Sequence, residues 1–157
     1  MALFSRAYHG LNMVGGWFQS PLLLLIRLYW GWQFHTTGAG KLKHLHRTAE
    51  YFQGLHIPFP TVNACMAGAI ECVGGLLLLL GLGSRLVSIP LTFVMVIAYL
   101  TADFDKVKHI FAEPDKFVTA DPFLFLLAAV IVFAFGPGVF SIDYLIARKM
   151  GAASAKP

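Results

Sequence analysis

Four long apolar runs alternate with polar stretches along the chain, and their lengths set the first expectation. The first, through PLLLLIRLYWGWQFH, predicts a membrane span over about residues 17–37, close to the ~20 residues a helix needs to cross. A second span is predicted over about 61–82 and a third over about 85–102, separated only by the GLGSR turn. So short a connection makes the two antiparallel neighbours. The fourth, about 122–144, carries Gly136, Pro137 and Gly138 as an interruption near its end. The pattern predicts an all-α integral membrane protein, a four-transmembrane-helix bundle, forming a single domain over residues 1–157.

The polar stretches refine this picture. Residues 1–20 mix Phe4, Tyr8, Trp17 and Phe18 with Arg6 and His9, which predicts a short interfacial N-terminal segment leading into the bilayer. The first apolar run holds Arg27 and lacks a small-residue cleavage site after it, so the span is expected to stay in the mature protein. In the first loop Leu42, Leu45, Ala49 and Phe52 recur at helical spacing while Lys43, His46, Arg47 and Glu50 point elsewhere. An amphipathic loop helix on the membrane surface is expected there, ended by Pro58 and Pro60. Residues 103–121 form a second long polar loop, and a basic tail follows the fourth span. Four spans place both termini on one side and both long loops on the other. Lys and Arg outside the spans divide as Arg6, Arg85, Arg148, Lys149 and Lys156 against Lys41, Lys43, Arg47, Lys106, Lys108 and Lys116. So even a split gives no orientation.

Composition agrees with a membrane protein: 57% of residues are hydrophobic and 13% charged, against roughly 25% in soluble domains. The net charge of +4 is scattered between apolar runs, which argues against a nucleic-acid partner. Cys65 and Cys72 stand seven apart on one predicted helix, about 10 Å, too far for a bridge between them. No redox dithiol, phosphate-binding glycine loop, serine elbow or zinc-protease helix occurs. His44 and His46 are two apart, point in different directions on a helix, and give no metal site.

The chemistry worth following is the charge inside the spans. Arg27 lies near the middle of span one and Glu71 near the middle of span two. Each unpaired charge at that depth costs roughly 2.5–3.5 kcal/mol, so a pair between them is expected. Steps of three and four from Glu71 meet Ala64, Ala67, Gly68, Gly74 and Gly75, a seam of small residues. From Arg27 the same steps meet Trp30, Gly31 and Phe34, then Gly38 and Lys41. The pair either fixes the register of the two helices or marks a functional site. Gln33, His35, Lys41 and Asp103, with Tyr99 on the Asp103 stripe, predict a polar mouth toward the loop side. For Lys41 an ordinary headgroup position is an equal reading.

At these residues the chain resembles the DoxX family of small four-helix membrane proteins. IRLYWGWQFHTTGAGKL is similar to that family's first-helix pattern, and ECVGGLLLLLGLGSRL to its second. Arg27, Gly31, Gly38, Lys41, Glu71, Gly74, Gly75, Gly81 and Arg85 fall on its recurrent positions. The aromatic N-terminal extension and the acidic third-to-fourth connection depart from its shortest members. The resemblance implies a membrane subunit of a quinone-linked redox complex. On that reading a quinone or similar apolar ring ligand is held between helices one and two, where Arg27 and Glu71 supply polar contacts, Trp30 and Phe34 stack on the ring, Tyr99 is a further contact, and Gly31, Gly68, Gly74 and Gly75 serve helix packing. Quinone is then the candidate cofactor, with none bound covalently and no metal. The bilayer, a soluble oxidoreductase subunit and a second copy of the chain are the candidate partners, in a prokaryotic cytoplasmic membrane. Two readings remain beside it: a non-catalytic ligand-binding or assembly protein, and a proton-coupled small-molecule transporter working through Glu71.

Overall fold

The computed structural model describes residues 2–151, with side chains from residue 13 onward. In chain order the helices are α1 (Ala2–Lys43), α2 (Leu45–Gly54), α3 (Pro60–Leu80) and α4 (Ser84–Thr101). They are followed by α5 (Phe104–Lys108), α6 (Pro114–Val118), α7 (Asp121–Phe135) and α8 (Ile142–Lys149). No strand occurs among the described residues. Among them, α3 and α4 are both long and apolar enough to cross a membrane, while α7 is apolar but has 15 residues.

The α1–α3 contact organises the rest. Gly31 and Gly38 of α1 stand seven residues apart, as do Gly68 and Gly75 of α3, so each pair returns to one helix face after two turns. A Cβ added to Gly31 would sit 2.9 Å from the Gly75 carbonyl oxygen, and one on Gly38 2.7 Å from that of Gly68. One on Gly75 would sit 2.7 Å from the Gly31 carbonyl oxygen. The two backbones touch without side chains between them, the close approach that small residues permit. Gly74 does the same for α4, whose Leu91 reaches within 3.0 Å of where its Cβ would be. Phe34, Leu78, Leu91, Met95, Ala129 and Val132 then close the core between α1, α3, α4 and α7.

Three boundaries differ from those the sequence predicts. The segment before the first span is not a separate element, because its backbone continues α1 without a break through Pro21. A proline inside a helix removes one hydrogen bond, and here that is not enough to end it. The side chains of Phe4, Arg6, Tyr8 and His9 lie outside the described residues. The second long loop is partly helical, holding α5 and α6. The fourth apolar run is not one helix over 122–144. It stops at Phe135, where Gly136 takes φ 79° and Pro137 has no N–H to offer, and α8 begins only at Ile142.

Side chains satisfy the backbone released by that break. Arg27 Nη2 donates to the Phe140 carbonyl at 2.6 Å, the Val139 N–H donates to Ser20 Oγ at 3.3 Å, and Ser141 Oγ donates to the Gly138 carbonyl at 2.7 Å. Ser141 also caps α8, accepting the Tyr144 N–H at 3.1 Å. The α3–α4 turn needs left-handed Gly81 (φ 69°) and Gly83 (φ 58°). Asp143 clamps it, taking the Gly83 and Ser84 N–H groups at 2.7 and 3.0 Å, while its own N–H donates to the Gly81 carbonyl.

The glycine contact gives a direct test. Gly38→Ala should lower unfolding stability in detergent by about 1–3 kcal/mol, the cost of overpacking. Gly40→Ala, two residues on with nothing within 4 Å of its Cβ position, should be neutral or stabilising by up to about 1 kcal/mol. Equal effects of the two changes in thermal or denaturant unfolding would contradict the packing described.

Candidate functional site

The two charges inside the predicted spans do not meet. Glu71, 1% exposed, is paired instead with Lys41, whose Nζ lies 2.5 Å from Glu71 Oε1. Arg27, also 1% exposed, lies toward the opposite end, against Gly81, Phe140 and the charge of Asp143. The register set by the glycines explains this. It puts residue 35 across from Glu71 and residue 79 across from Arg27, a separation of about 12 Å along the axis. Side-chain direction widens the gap, because helical side chains lean toward their own N-terminus. Arg27 therefore leans toward the α3–α4 turn, while Glu71 leans toward the end where α1 finishes. Lys41, in the last turn of α1, leans back to meet it. The expected Arg27–Glu71 pair is corrected to Lys41–Glu71.

This pair sits in a cavity of about 910 Å³ among α1, α2, α3, α4 and α7. The volume is near the top of the roughly 300–1,000 Å³ usual for small-molecule sites. Its walls are mainly apolar, including Phe52, Ile70, Phe93, Met95 and Phe125. Thr37, Arg47, Asn63, Asp103 and Asp121 add polar groups around the Lys41–Glu71 pair. Asp103 is held by Lys106 at 2.7 Å. The segment between α2 and α3 covers the loop end, tied down by Asn63 Nδ2 donating to the Pro58 carbonyl at 2.6 Å. In it His56 (φ 59°) and Phe59 (φ 48°) hold left-handed backbone that costs a non-glycine residue energy, a strain common around binding sites. Glu71 Oε2 is buried with no hydrogen-bond partner among the described residues. The pair thus leaves one buried carboxylate oxygen unpartnered beside the ammonium group of a partly exposed lysine.

Of the residues predicted for the site, Glu71, Lys41 and Asp103 line this cavity. The others are elsewhere. Trp30 and Phe34 pack edge-on against Phe125 at 4.9 and 4.7 Å between centroids, one ring behind the cavity wall. Phe34 is fully buried core and has no free face for a ligand. Tyr99 stacks on Phe117 and donates its hydroxyl to the Phe117 carbonyl at 2.9 Å. Gln33 donates to the Tyr29 hydroxyl, and His35 Nδ1 lies 3.0 Å from the Cys72 carbonyl oxygen, so neither joins the mouth. Thr37, Arg47, Asn63, Asp121, Phe93 and Phe125 were not predicted. Thr37 carried a usable signal, lying one helical turn before Lys41 on the same face.

Residues 22–104 match the DoxX family model, from the first half of the bundle's α1 through the start of α5. The chain belongs to the DoxX family. It is a membrane protein, and the matched span contains Arg27, Lys41, Glu71 and Asp103. "Putative oxidoreductase CatD" of Bacillus subtilis is 27% identical over 117 residues, covering 65% of this chain and 86% of that protein. "Uncharacterized membrane protein Rv3486" of Mycobacterium tuberculosis is 28% identical over 148 residues, covering 87% and 88%. No solved structure matches the chain.

The ion pair makes its own prediction for this DoxX protein. Lys41→Met strands the Glu71 carboxylate and should destabilise by about 3–5 kcal/mol, whereas removing both charges in Lys41→Met/Glu71→Leu should restore much of the loss. Denaturant unfolding of the three variants gives the comparison. A double variant less stable than either single one would show that the two charges do not depend on each other.

Proposed function

We propose that the chain is a membrane subunit of a quinone-linked redox complex, holding a quinone or similar apolar ring ligand in the loop-end cavity. The observation that carries the reading is a largely apolar cavity lined by the Lys41–Glu71 pair, in which the buried Glu71 keeps one carboxylate oxygen unpartnered among the described residues. A ring with a carbonyl at its edge suits that chemistry: Lys41 donates a hydrogen bond to the carbonyl oxygen, and a protonated Glu71 gives the proton that reduction to the hydroxyl consumes, taking it back when the hydroxyl is re-oxidised. The electrons come from a soluble oxidoreductase subunit docked on the face built by α2, α5 and α6. The name of the Bacillus subtilis relative supports an oxidoreductase setting. Arg27, Trp30, Phe34 and Tyr99 leave the proposed contact set, since none of them lines the cavity.

The reading includes a single domain with α1, α3, α4 and α7 all crossing a prokaryotic cytoplasmic membrane. The 15 residues of α7 rise about 22 Å, short of a ~30 Å hydrocarbon core. The chain from Gly136 to Ser141 completes the crossing, and irregular backbone at such depth is tolerated where the protein satisfies it, as Arg27, Ser20 and Ser141 do. Arg27 on this reading serves the crossing rather than the ligand. A second reading, a non-catalytic binder that keeps a lipid in the same cavity, is favoured by the predominance of apolar wall.

Binding decides between them. Purified protein should carry quinone or gain thermal stability when a quinone is added. Glu71→Gln and Lys41→Met should each weaken binding at least about tenfold, equivalent to about 1.4 kcal/mol, and Arg27→Lys should leave the affinity unchanged. Recovery of a stable lipid, with no quinone bound and no response to added quinone, would replace the first reading with the second.

A further inference from the structure

The cavity's lining is not confined to the inside of the bundle. Met66 and Phe93 line it and are yet 55% and 63% exposed, and Ile97 is 37% exposed. Met66 belongs to α3 and the other two to α4, so the cavity reaches the outer surface between these helices. Met66 lies about 9 Å along the axis from the loop end of α3, and Phe93 about 12 Å from that of α4. The 21 residues of α3 rise about 31 Å, matching a ~30 Å hydrocarbon core, so both depths fall within the acyl chains. Ala67 and Ala98 line the same stretch and contribute little bulk. At the aqueous end Phe52, Leu55 and Ile57 line the cavity beneath the strained connection to α3.

We infer that the cavity takes its ligand sideways from the bilayer, through a gap between α3 and α4. Its ligand class is then a membrane-dissolved molecule with a polar head and a linear apolar tail. The head reaches Lys41 and Glu71, and the tail leaves between Met66, Ala67, Phe93 and Ala98 toward the lipid. A water-soluble ring without a tail fills only the inner part of the space. The identity of the head rests on the function proposed above; the sideways path rests on the exposure of the lining.

A series of quinones sharing one ring but differing in isoprenoid tail length tests the path, with binding read by equilibrium titration on protein in lipid nanodiscs. Affinity should rise at least about tenfold from the tail-less ring to one with two isoprene units. Ala67→Trp and Ala98→Trp should remove that gain, so that tailed and tail-less rings bind each variant within about twofold of one another, the Leu variants replacing them if a Trp variant does not fold. Tail-independent binding to the unaltered protein, or a gain that survives both substitutions, overturns the inference. A prenyl alcohol with no ring separates it from the quinone reading. If the alcohol raises the Tm, loses that effect in the Trp variants, and no quinone binds, the path stands and the quinone reading falls. If neither probe binds, both fall.

Discussion

Everything in this bundle depends on two backbones touching. Gly31 and Gly38 meet Gly75 and Gly68 so closely that a single methyl at Gly31, Gly38 or Gly75 would collide with main-chain atoms of the facing helix. In a membrane, where apolar side chains gain little from leaving lipid, such van der Waals contact is what holds helices together. It also fixes the register, since sliding by one residue would put side chains into the seam. Once the register is set, the partners of every polar group on α1 and α3 follow. Glu71 can meet a side chain descending from the end of α1, and Arg27 can meet only the far end of the bundle.

The two buried charges consequently do different work. Glu71 is paired with a lysine rooted near the helix end, so one charge at mid-depth is neutralised by another that keeps part of its side chain exposed. This lowers the cost of an isolated carboxylate in hydrocarbon while leaving Oε2 without a partner among the described residues. Arg27 answers a backbone problem: the chain unwinds after Phe135, and its Nη2 takes the Phe140 carbonyl. DoxX membership covers both charges, since residues 22–104 match, whereas the unwound segment that Arg27 serves lies beyond the match.

Apolar run length made the α3 and α4 spans readable from the sequence to within one or two residues, and glycine with left-handed backbone made their connecting turn readable. The amphipathic spacing of Leu45, Ala49 and Phe52 likewise located α2. The end of α7 was visible as Gly136-Pro137-Gly138, but apolar residues continue past it, so hydropathy alone carried the span too far. The site was half legible. Glu71 stood out because a carboxylate in an apolar run is conspicuous, and the cavity indeed includes it. Its partner did not stand out, because the sequence shows depth without showing which way a side chain leans. Lys41 read equally as a polar-mouth residue and as a headgroup residue for the same reason. Trp30 and Phe34 share a face with Arg27, yet Phe125, from a helix far away in the chain, covers them both.

The clamp around the α3–α4 turn gives the molecule unequal ends. At one, Asp143 of α8 takes two amide N–H groups of the α3–α4 turn and gives its own, and Arg27 ties α1 to the unwound segment just before α8, so four helices are stitched by directional bonds. At the other, the helices bound an open volume beside the Lys41–Glu71 pair, with α1 and α3 still held together by the Gly38–Gly68 contact. The bundle is therefore built like a pair of tweezers with a riveted heel. Any breathing that lets a large guest pass pivots there, with its amplitude growing toward the tips, and it parts α4 from α3 rather than α3 from α1, whose backbones stay in contact beside the Lys41–Glu71 pair.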